Sequence, residues 1–166
     1  MEVIHYPHPG LLAPTRDISP GEFPDLQDRI DEMFDLMYKS QGVGLAAPQV
    51  NWNARLCIVN PTGEKADELV LINPKIKEPQ GKVVGEEGCL SFPGIYAKVV
   101  RAENIVVQYL NENMEPRTLE CDDILARIIQ HEVDHLENIL LVHRMSQADR
   151  FKNRKKLKEL RTVLSN

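Results

Sequence analysis

His131-Glu132-Val133-Asp134-His135 is the stretch on which the fold and the chemistry of this chain turn. It reads H-E-x-x-H and sits inside residues 123–137, where Ile124, Leu125, Ile128, Ile129 and Leu136 recur at helical spacing. Asp122 or Asp123 can cap the start of that helix. Residues four apart on a helix share a face, so both imidazoles can point at one ion. Glu132, about 100° further round the axis, can reach a water on that ion rather than the ion itself. A solvated helix with two surface histidines is the plain alternative, and the apolar periodicity running through the motif argues against it.

Outward from the motif, the chain has 166 residues, 42% of them apolar and 27% charged, which is the composition of an ordinary globular protein of one domain, residues 1–166. The formal charge of −5 excludes a globally basic nucleic-acid-binding surface, and nothing points to sequence-specific DNA binding. The longest aliphatic runs, 69–72 and 139–142, are far short of the about 18 residues a membrane span needs. His5, Pro7, His8, Pro9, Pro14 and Pro20 break the first twenty residues, so no signal peptide is expected. Cysteines at 57, 89 and 121 cannot all pair within one chain, which fits a reducing compartment and thiol or metal chemistry. The expected location is the cytoplasm.

The proline-broken first 24 residues read as an extended arm. Leu26, Ile30, Met33, Phe34 and Met37 then predict an amphipathic helix ending near Gly42. Short apolar runs follow at 56–59, 69–72, 83–84, 96–100 and 105–110. Asn111-Glu112-Asn113 is a turn into a strand around 117–120. With no helical crossover between them, these strands are antiparallel. A last helix over 146–164 opens on Ser146-Gln147-Ala148-Asp149, an approximate capping box, with a thin apolar stripe of Phe151, Leu157, Leu160 and Leu164. The class is α+β: an antiparallel β region and the helix carrying the motif, plus an N-terminal and a C-terminal helix.

A catalytic metal site needs a third protein donor and an open position. On the residues alone that donor stays open among His5, His8, His143, Cys57, Cys89 and Cys121. Cys57, inside Leu56-Cys57-Ile58-Val59, reads as a small buried apolar residue. Cys121 reads as a thiol at a strand end. Cys89 is set apart by its glycine- and proline-bounded surroundings, where backbone can approach a ligand closely.

Three segments together resemble the signature motifs of the peptide deformylase family: Gly42-Val43-Gly44-Leu45-Ala46-Ala47-Pro48-Gln49, Glu87-Gly88-Cys89-Leu90-Ser91, and Gln130-His131-Glu132-Val133-Asp134-His135-Leu136. They fall in the family's order and spacing, over essentially the whole chain, and the resemblance implies an α+β fold with antiparallel β-sheets packed around a central helix carrying H-E-x-x-H. The resemblance implies hydrolytic removal of the formyl group from the N-terminal methionine of new polypeptides, by a bacterial or organellar protein. It implies that Cys89, His131 and His135 hold one divalent ion, ferrous iron in the cell with zinc, nickel or cobalt possible in its place. Glu132 is then the acid/base, and the Gln49 side chain and Leu90 backbone N–H face the reacting carbonyl. Val43, Gly44 and Gly88 are expected to line up the substrate backbone, with Val43 and Ile128 at an apolar pocket for the methionine side chain. Arg101 is expected to anchor a carboxylate beside the second motif, Glu87.

The chain departs from the family pattern at Asn138 and Asp123, where glycine is usual, and at His143, where aspartate is common. Asparagine tolerates a left-handed helix end, and His143 is expected at the surface. Residues 150–161 hold seven basic side chains and one acidic, +6, leaving −11 on the rest of the chain. The resemblance implies a ribosome contact for this basic helix. Two rival functions remain: a general H-E-x-x-H metallopeptidase, and a non-hydrolytic Cys/His2 metal-binding protein such as a copper carrier. The second leaves Glu132 without a task.

Overall fold

A computed structural model describes residues 1–163. Seven strands form two antiparallel sheets: β1 (Gly44–Ala46), β2 (Leu56–Val59), β3 (Leu69–Gln80), β6 (Asn104–Leu110) and β7 (Pro116–Asp122) in the order β1-β2-β3-β6-β7, and β4 (Val83–Gly88) paired with β5 (Tyr96–Arg101). Four helices accompany them: α1 (Leu26–Lys39), α2 (Asp123–Leu136), α3 (Leu141–Arg144) and α4 (Gln147–Val163). This is the expected α+β arrangement, with the motif on the helix between the sheets.

Alternation along β2 explains the layering. Leu56 and Ile58 face α1, where Ile30, Met33, Phe34 and Met37 fill a buried cluster with Leu45 and Ile72. Cys57 and Val59 face the other way, onto Ala126, Ile129, Val133 and Leu136 of α2. The five-stranded sheet is therefore covered on both faces, and α2 is pressed between it and the β4–β5 hairpin. A third cluster, with Phe92, Ile95, Ala97, Val99, Leu141 and Leu157, joins β5 to α3 and α4.

α1 and α2 both end on Schellman motifs. In α1, Gly42 N–H donates to Met37 O at 2.9 Å, and the left-handed residue is Gln41 (φ 57°), one place before the glycine. In α2, Ile139 N–H donates to Asp134 O at 2.8 Å and Asn138 takes the left-handed position (φ 57°), so asparagine does the work glycine usually does. Its amide also donates to Ala13 O. Asp123 likewise has a positive φ, 46°, in a position suited to glycine.

Several local expectations are corrected. β3 runs on to Gln80, through Pro74 and Pro79, because its pairing with β6 shifts register between Ile72/Lys75 and Lys77/Gln80, so bulges absorb the prolines. Ile124 is not on the apolar face of α2 but 54% exposed. Asp122 stands at the start of α2 without a side-chain capping bond. Ser146 does cap α4, accepting from Asp149 N–H at 3.0 Å. Phe151 is 66% exposed, and the buried position beside Leu157 goes to Asn153; Leu164 lies outside the described residues.

Candidate metal centre

The two histidines come to the site on α2, and the thiol comes from the residue that follows β4. Sγ of Cys89 lies 3.3 Å from Nε2 of His135. One donor atom from each of Cys89, His131 and His135 falls within 4.8 Å of the others, the spacing a single tetrahedral ion needs. Among the described residues no other His/Cys/Asp/Glu group of this kind includes a histidine or cysteine. Cys57 is fully buried in β2, where burial pushes its thiol pKa up, and Cys121 is pushed up to about 11 by the same cause. His143 is exposed, its Nδ1 accepting from Leu140 N–H. His8 accepts from Gly10 N–H.

His131 is oriented from behind. Nδ1 sits 2.9 Å from Glu87 Oε2, which leaves Nε2 for an ion, the usual arrangement of a metal-ligating imidazole. Burial pulls the pKa of His131 down, but its bonds to Cys89 and Glu87 win and hold it well above the ordinary value. Burial and the neighbouring charge of His131 drive His135 well below it, so that ring is neutral. Burial would raise Glu87, yet Arg101 and His131 hold its carboxylate below the usual range. Arg101, 5% exposed, donates to both Glu87 oxygens at 2.8 and 2.9 Å, as the sequence suggested.

Glu132 is 4% exposed, and burial pushes its carboxyl up to about 7. Its Oε2 is buried with no hydrogen-bond partner, and a water carried by an ion at the three donors would supply one. Gly44 is required at this point: a Cβ there would stand 2.9 Å from Cδ of Glu132. Gln49 is 1% exposed and fixed in orientation, since its Oε1 accepts from Ala46 N–H at 2.9 Å. Its NH2 therefore faces Cys89 Sγ (3.5 Å) and Ser91 Oγ (3.2 Å).

A cleft of about 490 Å³ opens beside these groups. Val43, Gly44, Gly88, Leu90 and Ile128 line it together with Gln49, Cys89, His131 and Glu132. The structure thus brings every residue singled out in the three motifs to one place. Four more were not anticipated: Ser91, Arg127, Asp134 and Arg144. Arg127 donates to Glu87 at 2.9 Å, and it stands four residues before His131, a helical spacing that could have revealed it. Asp134 is buried and takes Arg101 at 2.6 Å and Arg144 at 2.6 and 2.9 Å. Glu132 and Asp134, two acids on opposite faces of one largely apolar helix, were the available signal.

A buried H-E-x-x-H helix, a thiol from the residue just after a facing strand and an open cleft beside a glutamate with a partnerless Oε2 define a metallohydrolase. Residues 1–151 match the family model described as polypeptide deformylase. A peptide deformylase of Chromobacterium violaceum is 42% identical over 159 residues, covering 96% of this chain and 95% of that one. Solved peptide deformylases superpose closely: one from Plasmodium falciparum at TM-score 0.94 and 36% identity, covering 99% of this chain and 97% of that one. Peptide deformylase 1B of Arabidopsis thaliana follows at 0.92 and 41%, covering 99% and 92%. The chain belongs to the peptide deformylase family. Among the described residues no helix is long and apolar enough to cross a membrane.

Proposed function

We propose that this enzyme removes the N-formyl group from the N-terminal methionine of newly synthesised polypeptides, giving formate and a free amine. The observation that carries this reading is the meeting of Cys89, His131 and His135 beside a buried, partnerless Glu132 Oε2 at an open cleft. Those three residues would hold one divalent ion, ferrous iron in the cell, in a donor set that also suits zinc, nickel or cobalt. Bound there, the ion supplies Lewis acidity that polarises a carbonyl and acidifies water.

Glu132 takes a proton from the attacking water and returns it to the departing amine nitrogen, so that the C–N bond breaks to a neutral leaving group. The Gln49 NH2 and the Leu90 backbone N–H donate to the carbonyl oxygen as it gains negative charge. A neutral amide does this without repelling the cation. Glu87 and Arg101 hold the His131 ring in its working tautomer. Gly44 and Gly88, on β1 and β4, offer backbone to an extended substrate, and Val43 and Ile128 form the apolar wall for the methionine side chain.

The place of action is the bacterial cytoplasm or an organelle, where formylated chains are made. The basic residues 150–161, almost wholly beyond the family match, would attach the enzyme to the RNA-rich ribosome surface; Lys152, Arg154, Lys155 and Lys158 are all exposed. Turnover of formyl-Met-Ala against acetyl-Met-Ala tests the reading. Formyl should be preferred by on the order of 100-fold or more. Comparable rates, or cleavage of internal peptide bonds, would make the enzyme a general metallopeptidase instead.

A further inference from the structure

We propose that Arg144, through Asp134, is a positioning residue that sets the distance between the Cys89 thiol and the two histidines. This rests on the reading of Cys89, His131 and His135 as metal ligands and extends it to α3, which lies outside the three motifs.

The connection can be followed bond by bond. Glu87, two residues before Cys89 at the end of β4, accepts from Arg101 at 2.8 and 2.9 Å and lies 2.9 Å from His131 Nδ1. The remaining arm of Arg101, on β5, reaches Asp134 Oδ2 at 2.6 Å. Asp134 is the residue before His135. Arg101 therefore ties the strand that delivers the thiol to the helix that delivers both imidazoles, and His131–Glu87 closes the ring. Arg144 of α3 grips the outer side of Asp134 with two prongs, Nε to Oδ2 at 2.9 Å and Nη2 to Oδ1 at 2.6 Å.

The second grip matters because an aspartate carboxylate turns easily about its last bond. Arg101 alone holds one oxygen and leaves that rotation open. The forked bond from Arg144 fixes the plane, and so fixes where Arg101 sits and where it holds Glu87 behind His131. Charge makes Arg144 the member that can be removed. Glu87 and Asp134 face three guanidiniums, Arg101, Arg127 and Arg144, so two remain for two carboxylates when Arg144 goes. Its side chain is 41% exposed, whereas that of Arg101 is 4% exposed and its loss would strand a buried acid.

The test is chelator competition against the cobalt-loaded full chain, with the visible spectrum of the cobalt recorded, for the wild type and for Arg144→Gln, Arg144→Lys, Glu87→Gln and the Glu87→Gln/Arg144→Gln double variant. Arg144→Gln should weaken metal binding roughly tenfold, the low end for residues behind a ligand, and shift the cobalt absorption. Arg144→Lys, which keeps the charge but one prong only, should lose roughly threefold. In the Glu87→Gln background the effect of Arg144→Gln should shrink below about twofold, because the path to His131 is already cut. Unchanged affinity and spectrum in Arg144→Gln would overturn the proposal, as would a full tenfold loss in the Glu87→Gln background. Should the glutamine variant fail to fold, wild-type affinity in Arg144→Lys overturns it. A wild type that binds no cobalt would instead bring down the ligand assignment beneath it.

Discussion

Burial places the Glu132 carboxyl at about 7, against an ordinary 4.5, and this has a measurable cost in the metal-free protein. Below pH 4.5 the group is protonated in both folded and unfolded chains and costs nothing. Between 4.5 and 7 the unfolded chain gives up its proton while the folded one keeps it, so stability falls as pH rises and levels off above 7. Glu132→Gln has no such group. Its stability advantage over the metal-free wild type should grow across that window to about 3 kcal/mol by denaturant unfolding; a difference that stays flat with pH would contradict the burial account. A cation held at Cys89, His131 and His135, as proposed, would favour the charged form and prepare Glu132 for the role of base. At this scale His131, Glu132 and His135 were legible because one helical turn joins them. Cys89 and Gln49 were not, since no periodicity links residues 40 and more positions away; their assignment came from resemblance. Asp134 and Arg144 went unread because an ion-pair network is set by tertiary packing.

The helices show where pattern suffices and where context overrides it. α1 and α2 lie within a few residues of their expected bounds, because each buries a strong apolar stripe against a sheet. α4 has a weak stripe, and the sheet edge beside it decides which residues turn inward. The part-buried backbone carbonyl of Tyr96 takes its donor from Asn153 Nδ2 at 3.0 Å, so Asn153 turns inward and Phe151 is left in solvent. Unfolding measurements should therefore rank Phe151→Ala within about 0.5 kcal/mol of wild type, Asn153→Ala lower by about 1–2, and Leu157→Ala lower by about 2–4. A Phe151→Ala loss larger than that of Leu157→Ala would restore the sequence expectation. β3 makes the same point, since Pro74 and Pro79 read as breakers and only the pairing with β6 shows the bulges that carry the strand past them.

Across the whole molecule the modest net charge of −5 conceals a basic segment at 150–161 carrying +6 on an otherwise acidic chain. If the proposed ribosome contact is made through exposed α4 cations such as Lys152, Arg154, Lys155 and Lys158, the affinity for ribosomal RNA would be salt-sensitive. Between about 50 and 200 mM salt it should fall on the order of 100-fold, and Lys152→Glu/Lys155→Glu/Lys158→Glu should abolish it while formate release persists. Affinity indifferent to salt would mean that the helix is an ordinary solvated face. The α+β class was readable from strand and helix periods, while the packing of the sheets around α2, implied by the resemblance, and the β4–β5 pairing that completes the site depend on contacts between distant segments. The central claim, hydrolysis of the formyl group with Glu132 as acid/base, is tested most directly by formate release from formyl-Met-Ala by the metal-loaded full chain. The wild type should release formate and free amine in equal amounts, Glu132→Ala should keep its metal and lose on the order of 100- to 10,000-fold in rate, and Cys89→Ala should lose the metal itself. Formate release by metal-loaded Glu132→Ala at the wild-type rate would contradict the account.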